Sequence, residues 1–236
     1  MTLLELLGPA LAASAHGPAA APVIPVIVLA DARDAVPLAR ACVAGGVRVL
    51  EVTLRTPAGL EAIRRIAAEV PEAIVGAGTV TREADLAAAV GAGARFVMSP
   101  GFDRELAAAA RDHGTPWMPG VMTPSEVMQA AGQGLSLLKF FPAAAAGGTA
   151  MLQALAGPFP DLQFCPTGGV GLAEAARYLA LPNVFAVGGS WLTPAATLAA
   201  RDWSAVTALA REAAVLGRAK APAGSAVSAG GSGGRR

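Results

Sequence analysis

Lys139 stands in the run Leu137-Leu138-Lys139-Phe140-Phe141, and only one other lysine, Lys220, occurs in the chain of 236 residues. A charged amine inside an apolar strand is costly unless it is paired or gives up its proton. A neutral amine in such a place is the nucleophile that attacks a ketone to form a Schiff base. A lysine at a strand end, its stem on apolar surface and its head in water, gives the same pattern. A second polar anomaly lies in the stretch Val47-Arg48-Val49-Leu50-Glu51-Val52-Thr53-Leu54-Arg55. Alternation places Leu50, Val52 and Leu54 on one face, and Val49, Glu51, Thr53 and Arg55 on the other. In a barrel the second face points inward. There Glu51 is a candidate general acid/base, and Arg55, nearer the carboxyl end, can grip an anionic substrate group with two hydrogen bonds. A Glu51–Arg55 ion pair that only satisfies itself accounts for the same residues.

Two glycine-rich turns form the third element: Thr167-Gly168-Gly169 and Gly188-Gly189-Ser190. Glycines allow backbone N–H groups to approach a phosphate, and a helix N-terminus adds a favourable dipole; tight turns alone also use them. Thr79 offers a hydroxyl at the end of the run Ala77-Gly78-Thr79-Val80, where it also serves to end a strand. Pro100, in Ser99-Pro100-Gly101, marks a turn. His16 lies in an N-terminal connector, and His113 precedes Gly114 at a helix end, where a cation suits the dipole. Cys42 and Cys165 are two scattered thiols, too few for a disulfide framework. Cys165 has no histidine placed to activate it and reads as core filling. Neither the histidines nor the cysteines have metal-ligand spacing, so no metal site is expected.

The elements that must carry these residues alternate along the chain. Eight short apolar runs begin at Val23, Val47, Ala73, Arg95, Pro116, Leu137, Leu162 and Val184, and alanine-rich stretches of helical spacing separate them. Asp34 to Ala44 reads as a helix stopped by Gly45 and Gly46, and Thr123 to Ala131 as one opened by a threonine cap and a first-turn proline. Eight strand–helix units imply a parallel sheet, and eight is the number that closes a (β/α)₈ TIM barrel; a doubly wound open sheet is the alternative. The loops after the seventh and eighth strands are the usual phosphate site of such a barrel, so the expected ligand is a phosphorylated small molecule. Leu3, Leu4, Leu6, Leu7 and Leu11 suit one face of a short N-terminal helix. The expected organisation is a helix and connector over 1–21, one barrel domain over 22–217, and a disordered Gly/Ser/Ala-rich tail over 218–236.

Composition narrows the function classes. Hydrophobic residues make up 54% of the chain and charged residues 15%, which excludes a wholly disordered protein. The formal charge of +1 gives no general attraction for nucleic acid or anionic membrane. Mean hydropathy is +0.51, yet the strongest apolar run, Val23 to Ala30, falls far short of the roughly 20 residues a spanning helix needs. No Lys or Arg precedes Arg33, so no signal peptide is read and a cytoplasmic location is expected.

The stretches EVTLRTP (Glu51 to Pro57), VGAGTV (Val75 to Val80), SPG (Ser99 to Gly101), KFFPA (Lys139 to Ala143), FCPTGGV (Phe164 to Val170) and GGSWL (Gly188 to Leu192) occur in this order. Together they resemble the 2-keto-3-deoxy-6-phosphogluconate aldolases, the class I aldolases of the Entner–Doudoroff pathway, from about Pro22 to Gly217. The resemblance implies a Schiff-base lysine at Lys139, a general acid/base at Glu51 and a carboxylate-binding arginine at Arg55. It puts Thr79 and Pro100 in the substrate lining, and Thr167, Gly168, Gly169, Gly188, Gly189 and Ser190 at the phosphate. It further implies a homotrimer of (β/α)₈ barrels that needs no metal or cofactor, acts on a phosphorylated 2-keto-3-deoxy sugar acid, releases pyruvate and glyceraldehyde 3-phosphate, and also cleaves 4-hydroxy-2-oxoglutarate. The chain departs from many relatives at Ala144, where they carry an acidic residue. An aldolase for the galactonate epimer is the nearest rival, disfavoured by Arg55; a phosphosugar isomerase or epimerase and a non-catalytic phosphate-binding barrel are the others.

Overall fold

The computed structural model describes residues 1–11 and 21–216. The expected connector up to Ala20 with His16, and the expected tail with Lys220, lie outside the described residues. Helix α1 (Leu3–Leu11) comes first. Strand β1 (Val23–Ile27) then leads through a 3₁₀ turn (Ala32–Asp34) into α2 (Ala35–Ala44). The units β2 (Val49–Thr53) and α3 (Gly59–Glu69), β3 (Ile74–Gly78) and α4 (Glu83–Gly91), and β4 (Val97–Met98) and α5 (Arg104–Asp112) follow. Next are β5 (Trp117–Met118), β6 (Gly120–Val121) and α6 (Pro124–Gly132), then β7 (Leu137–Phe140) and α7 (Gly148–Ala156). The last are β8 (Gln163–Pro166), α8 (Leu172–Leu179), β9 (Val187–Gly189), α9 (Ala195–Ala199) and α10 (Trp203–Val215).

The fold is α/β with parallel sheets. Six strands pair in the order β5-β4-β3-β2-β1-β9 and three in the order β6-β7-β8, every pairing parallel. Single bridges, Phe164 to Val184 and Thr167 to Gly188, connect β8 and its extension with the β9 segment. The fifth apolar run, expected as one strand, is two. Pro119 has no N–H to donate, so pairing breaks there, although its carbonyl still accepts from the Lys139 amide at 2.9 Å. The eighth run also forms less strand than expected: Val184 makes only a bridge, and regular pairing begins at Val187.

Alternation divides the apolar residues between two clusters. Leu50, Val52, Val75, Val97, Leu138, Phe140, Phe164 and Val187 pack outward against the helices. Ile24, Val49, Phe96, Met98, Met118, Leu137 and Cys165 pack on the opposite faces with Leu3, Leu6, Leu7, Ala10 and Leu11 of α1. Val49 and Leu137 open their strands, so α1 covers the amino-terminal end of this inner layer. Leu4, expected on the packing face of α1, is instead 58% exposed; the buried stripe runs 3, 6, 7, 10 and 11, and residue 4 falls at its edge. With the amino-terminal end filled by apolar residues, the polar members of the inner faces are left at the carboxyl-terminal end.

Both expected helix boundaries are built as the residue types dictate. The α6 cap is reciprocal: the Thr123 hydroxyl accepts from the Glu126 amide, while the Glu126 carboxylate accepts from the Met122 and Thr123 amides at 2.8 Å. At the end of α2, Gly46 takes φ +96°, a conformation in which a side chain would be strained.

Candidate active site

Lys139 lies two residues beyond Leu137 on the same face of β7, and Glu51 two beyond Val49 on β2. Each side chain therefore emerges just above the apolar inner layer. The two meet: the Lys139 Nζ donates to Glu51 Oε1 at 3.0 Å, with 3% of the lysine side chain and none of the glutamate exposed. This is the pairing a buried amine and a buried carboxylate require of each other. The alternative Glu51–Arg55 pair is not made among the described residues. Glu51 Oε2 is buried and receives no hydrogen bond, so one carboxylate oxygen is engaged by the amine and the other has its lone pairs available. The face of the Phe141 ring lies 5.3 Å from Nζ, within range of a cation–π contact. Across the β7–β8 pairing, Lys139 is in register with Cys165. Burial pushes the Cys165 thiol up to about 12, with the nearby Lys139 charge opposing the shift, so this sulfur stays protonated and does not compete as a nucleophile.

Arg55 lies just beyond β2 and is exposed; its Nε donates to the Thr79 hydroxyl at 3.1 Å. Thr79 follows β3 rather than ending it, at φ +61°, a left-handed conformation uncommon for a β-branched residue. That turn brings the hydroxyl to the guanidinium. Pro100 sits over β6: its carbonyl occupies the space that a Cβ on Gly120, the register partner of Lys139, would need. The Thr167-Gly168-Gly169 turn is joined to β9 by the Thr167–Gly188 bridge, and the Thr167 side chain fills the space left by the missing Gly188 Cβ; Gly188 and Gly189, expected as a turn, are the last residues of β9. Gly168 and Gly169 take φ of +97° and +73°. Their amides reach no carbonyl among the described residues, whereas the Thr167 and Gly168 carbonyls accept from the Ala143 and Ala144 amides at 2.8 and 3.0 Å. The loop after β7 is thereby fastened to the turn after β8. Ser190, next to Gly189, is exposed.

A buried lysine amine on a carboxylate, with an arginine–threonine pair and a turn of two free amides, has the parts of an imine-forming site for an anionic substrate. The family model that matches is the one described as KDPG and KHG aldolase, over residues 18–209. The chain belongs to this family. Its similarity to the 2-dehydro-3-deoxy-phosphogluconate aldolase of Dickeya dadantii is 56% identity, covering 82% of this chain and 91% of that one. It is 55% identical to the KHG/KDPG aldolase of Escherichia coli strain K12 over 81% of this chain and 90% of that one. Among solved structures, the KDPG aldolase of Legionella pneumophila, with pyruvate captured at low pH as a covalent carbinolamine intermediate, matches with a TM-score of 0.80. Identity there is 49%, over 82% of this chain and 94% of that one.

Two features of this aldolase site were not singled out from the sequence. Phe141 reads as ordinary core in KFFPA, and only the turn after β7 brings its ring under the amine. Glu51 lies against the face of β3 that carries Gly76 and Gly78. Two glycines at period-two spacing in a strand were the available signal that this face is crowded.

Proposed function

We propose that this protein is a class I aldolase that cleaves 2-keto-3-deoxy-6-phosphogluconate to pyruvate and glyceraldehyde 3-phosphate. The observation that carries the reading is the buried Lys139–Glu51 hydrogen bond in a chain of this family. Glu51 accepts a proton from Lys139, and the neutral amine attacks the C2 ketone. Glu51 returns that proton to the carbinolamine hydroxyl, which leaves as water; the product is a protonated imine, an electron sink beside C3, and Glu51 is a carboxylate again. Glu51 then takes the C4 hydroxyl proton as the C3–C4 bond breaks; its electron pair passes into the imine to give an enamine, and glyceraldehyde 3-phosphate leaves. Protonation of the enamine at C3 and hydrolysis release pyruvate and restore the amine. Arg55 and Thr79 hold the substrate carboxylate, Pro100 lines its path, and Thr167, Gly168, Gly169, Gly188, Gly189 and Ser190 hold the phosphate, fixing the reach between the two ends.

The sheets close into a (β/α)₈ barrel over 22–217. Support comes from the bridges between β8 and the β9 segment and from the continuity of β5 and β6 through Pro119. A cytoplasmic homotrimer acting without metal or cofactor goes with the family resemblance. A second substrate, 4-hydroxy-2-oxoglutarate, is favoured by the dual name of the E. coli relative. The test is pyruvate release from both substrates, followed by coupled reduction to lactate. The wild type releases pyruvate from both, with the larger kcat/KM on the phosphorylated one, and Lys139→Ala loses at least about 10³-fold. Full activity in Lys139→Ala sinks the reading.

A further inference from the structure

Gly78 ends β3 and pairs in register with Thr53, one step along the inner face from Glu51. Glycine in a strand forgoes packing and loses more chain entropy on folding than other residues, so a positional reason is needed. Its backbone supplies none: Gly78 is not among the glycines with positive φ. The reason is room. A Cβ at position 78 would lie 2.6 Å from Glu51 Cγ and 2.7 Å from Cδ, and closer still to Oε1. The carboxylate of Glu51, itself fully buried, rests where that methyl would be. Gly76, the other glycine on this face, makes room for something else, the ring of Phe96.

We propose that Gly78 is a positioning residue: the missing side chain is the seat of the Glu51 carboxylate. The seat contacts the edge of the carboxylate that carries Oε1, the oxygen bonded to Lys139, while the buried Oε2 keeps its hydrogen-bonding capacity unused. An alanine at 78 lifts the carboxylate off this seat and misaligns it with both amine and substrate. The proposal rests on the reading of Glu51 as general acid/base.

The experiment compares wild type, Gly78→Ala, Glu51→Ala and the double variant. Three quantities are measured: exchange of pyruvate methyl protons with deuterated water, which reports proton transfer at the enamine; borohydride trapping of pyruvate on Lys139, which reports imine formation; and Tm. Glu51→Ala lowers exchange by about 10²–10⁴-fold. Gly78→Ala lowers it by at least about 10²-fold while Lys139 still traps pyruvate, and the double variant exchanges no more slowly than Glu51→Ala. Gly78→Ala also lowers Tm, and it lowers Tm little or not at all when added to Glu51→Ala, because the colliding carboxylate is gone; this arm stands even if Gly78→Ala alone folds poorly. Wild-type exchange in Gly78→Ala overturns the seat. So does a Gly78→Ala effect on exchange or Tm that is undiminished in the Glu51→Ala background, which would mark a role in the strand alone. Wild-type exchange in Glu51→Ala, read from that variant by itself, overturns the base and the seat built on it.

Discussion

At the scale of residues, Lys139 and Glu51 each make the other tolerable in an apolar interior, and the arrangement sacrifices stability for chemistry. Removing one partner leaves the other buried without compensation, an effect of about 3–5 kcal/mol, whereas replacing both by apolar side chains of similar volume is often neutral or stabilising. Urea unfolding of Lys139→Ala is expected to show such a loss, and Lys139→Met/Glu51→Leu to recover most of it with no activity. The thiols give a pH dependence. Burial pushes both Cys42 and Cys165 up to about 12 from 9.0, so the folded state retains protons that the unfolded state releases. Their contribution is complete below about pH 9 and is lost as pH rises toward 12. The Cys42→Ala/Cys165→Ala variant should therefore lose less stability than wild type when unfolding is compared at about pH 8.5 and about pH 10.5. Lys139 and Glu51 were legible in the sequence because a charge in an apolar strand is anomalous by type alone. That they could meet was also legible, since a barrel gathers residues of several strands at one mouth; their direct hydrogen bond was not, since 88 residues separate them and β2 and β7 belong to different sheets.

At the scale of elements, the helices carry their start and stop signals in a few side chains, and the strands carry theirs in β-branched runs. The Thr123–Glu126 box was readable as a threonine before a proline, and the structure supplies the reciprocal bonds. Thr123→Ala should cost about 1 kcal/mol, measured by chemical denaturation. Helix α1 contributes differently, as a cover for the amino-terminal end of the inner layer. Leu7 is fully buried there, and Leu7→Ala should destabilise by about 2–5 kcal/mol. Because α1 lies at the end away from Lys139, kcat should change little, which a paired unfolding and activity measurement checks. What the sequence left open at this scale was decided by pairing partners: the break at Pro119, the late start of β9 and the positive φ of Thr79 depend on the neighbouring strand or loop rather than on local preference.

At the scale of the whole molecule, parallel strand–helix units place the apolar side chains of α1 at one end of the strands and the polar residues of the same faces at the other, so one architecture both fills its core and assembles a site. The alternation of strands and helices was legible because every unit must bury an apolar strand beneath an amphipathic helix. Strand lengths were not, because many pairings are only two or three residues long. The chemistry assigned to this site is carried by side chains, and no group of His, Cys, Asp or Glu among the described residues could hold a metal ion; pyruvate release is expected to be unchanged after treatment with a chelator. The central claim is that Lys139 forms the imine. Borohydride reduction in the presence of pyruvate, followed by peptide mass mapping, tests it most directly. A reduced pyruvyl adduct on Lys139, abolished in Lys139→Arg, is the expected result; active enzyme that traps no pyruvate, or that carries the adduct elsewhere, would contradict the account.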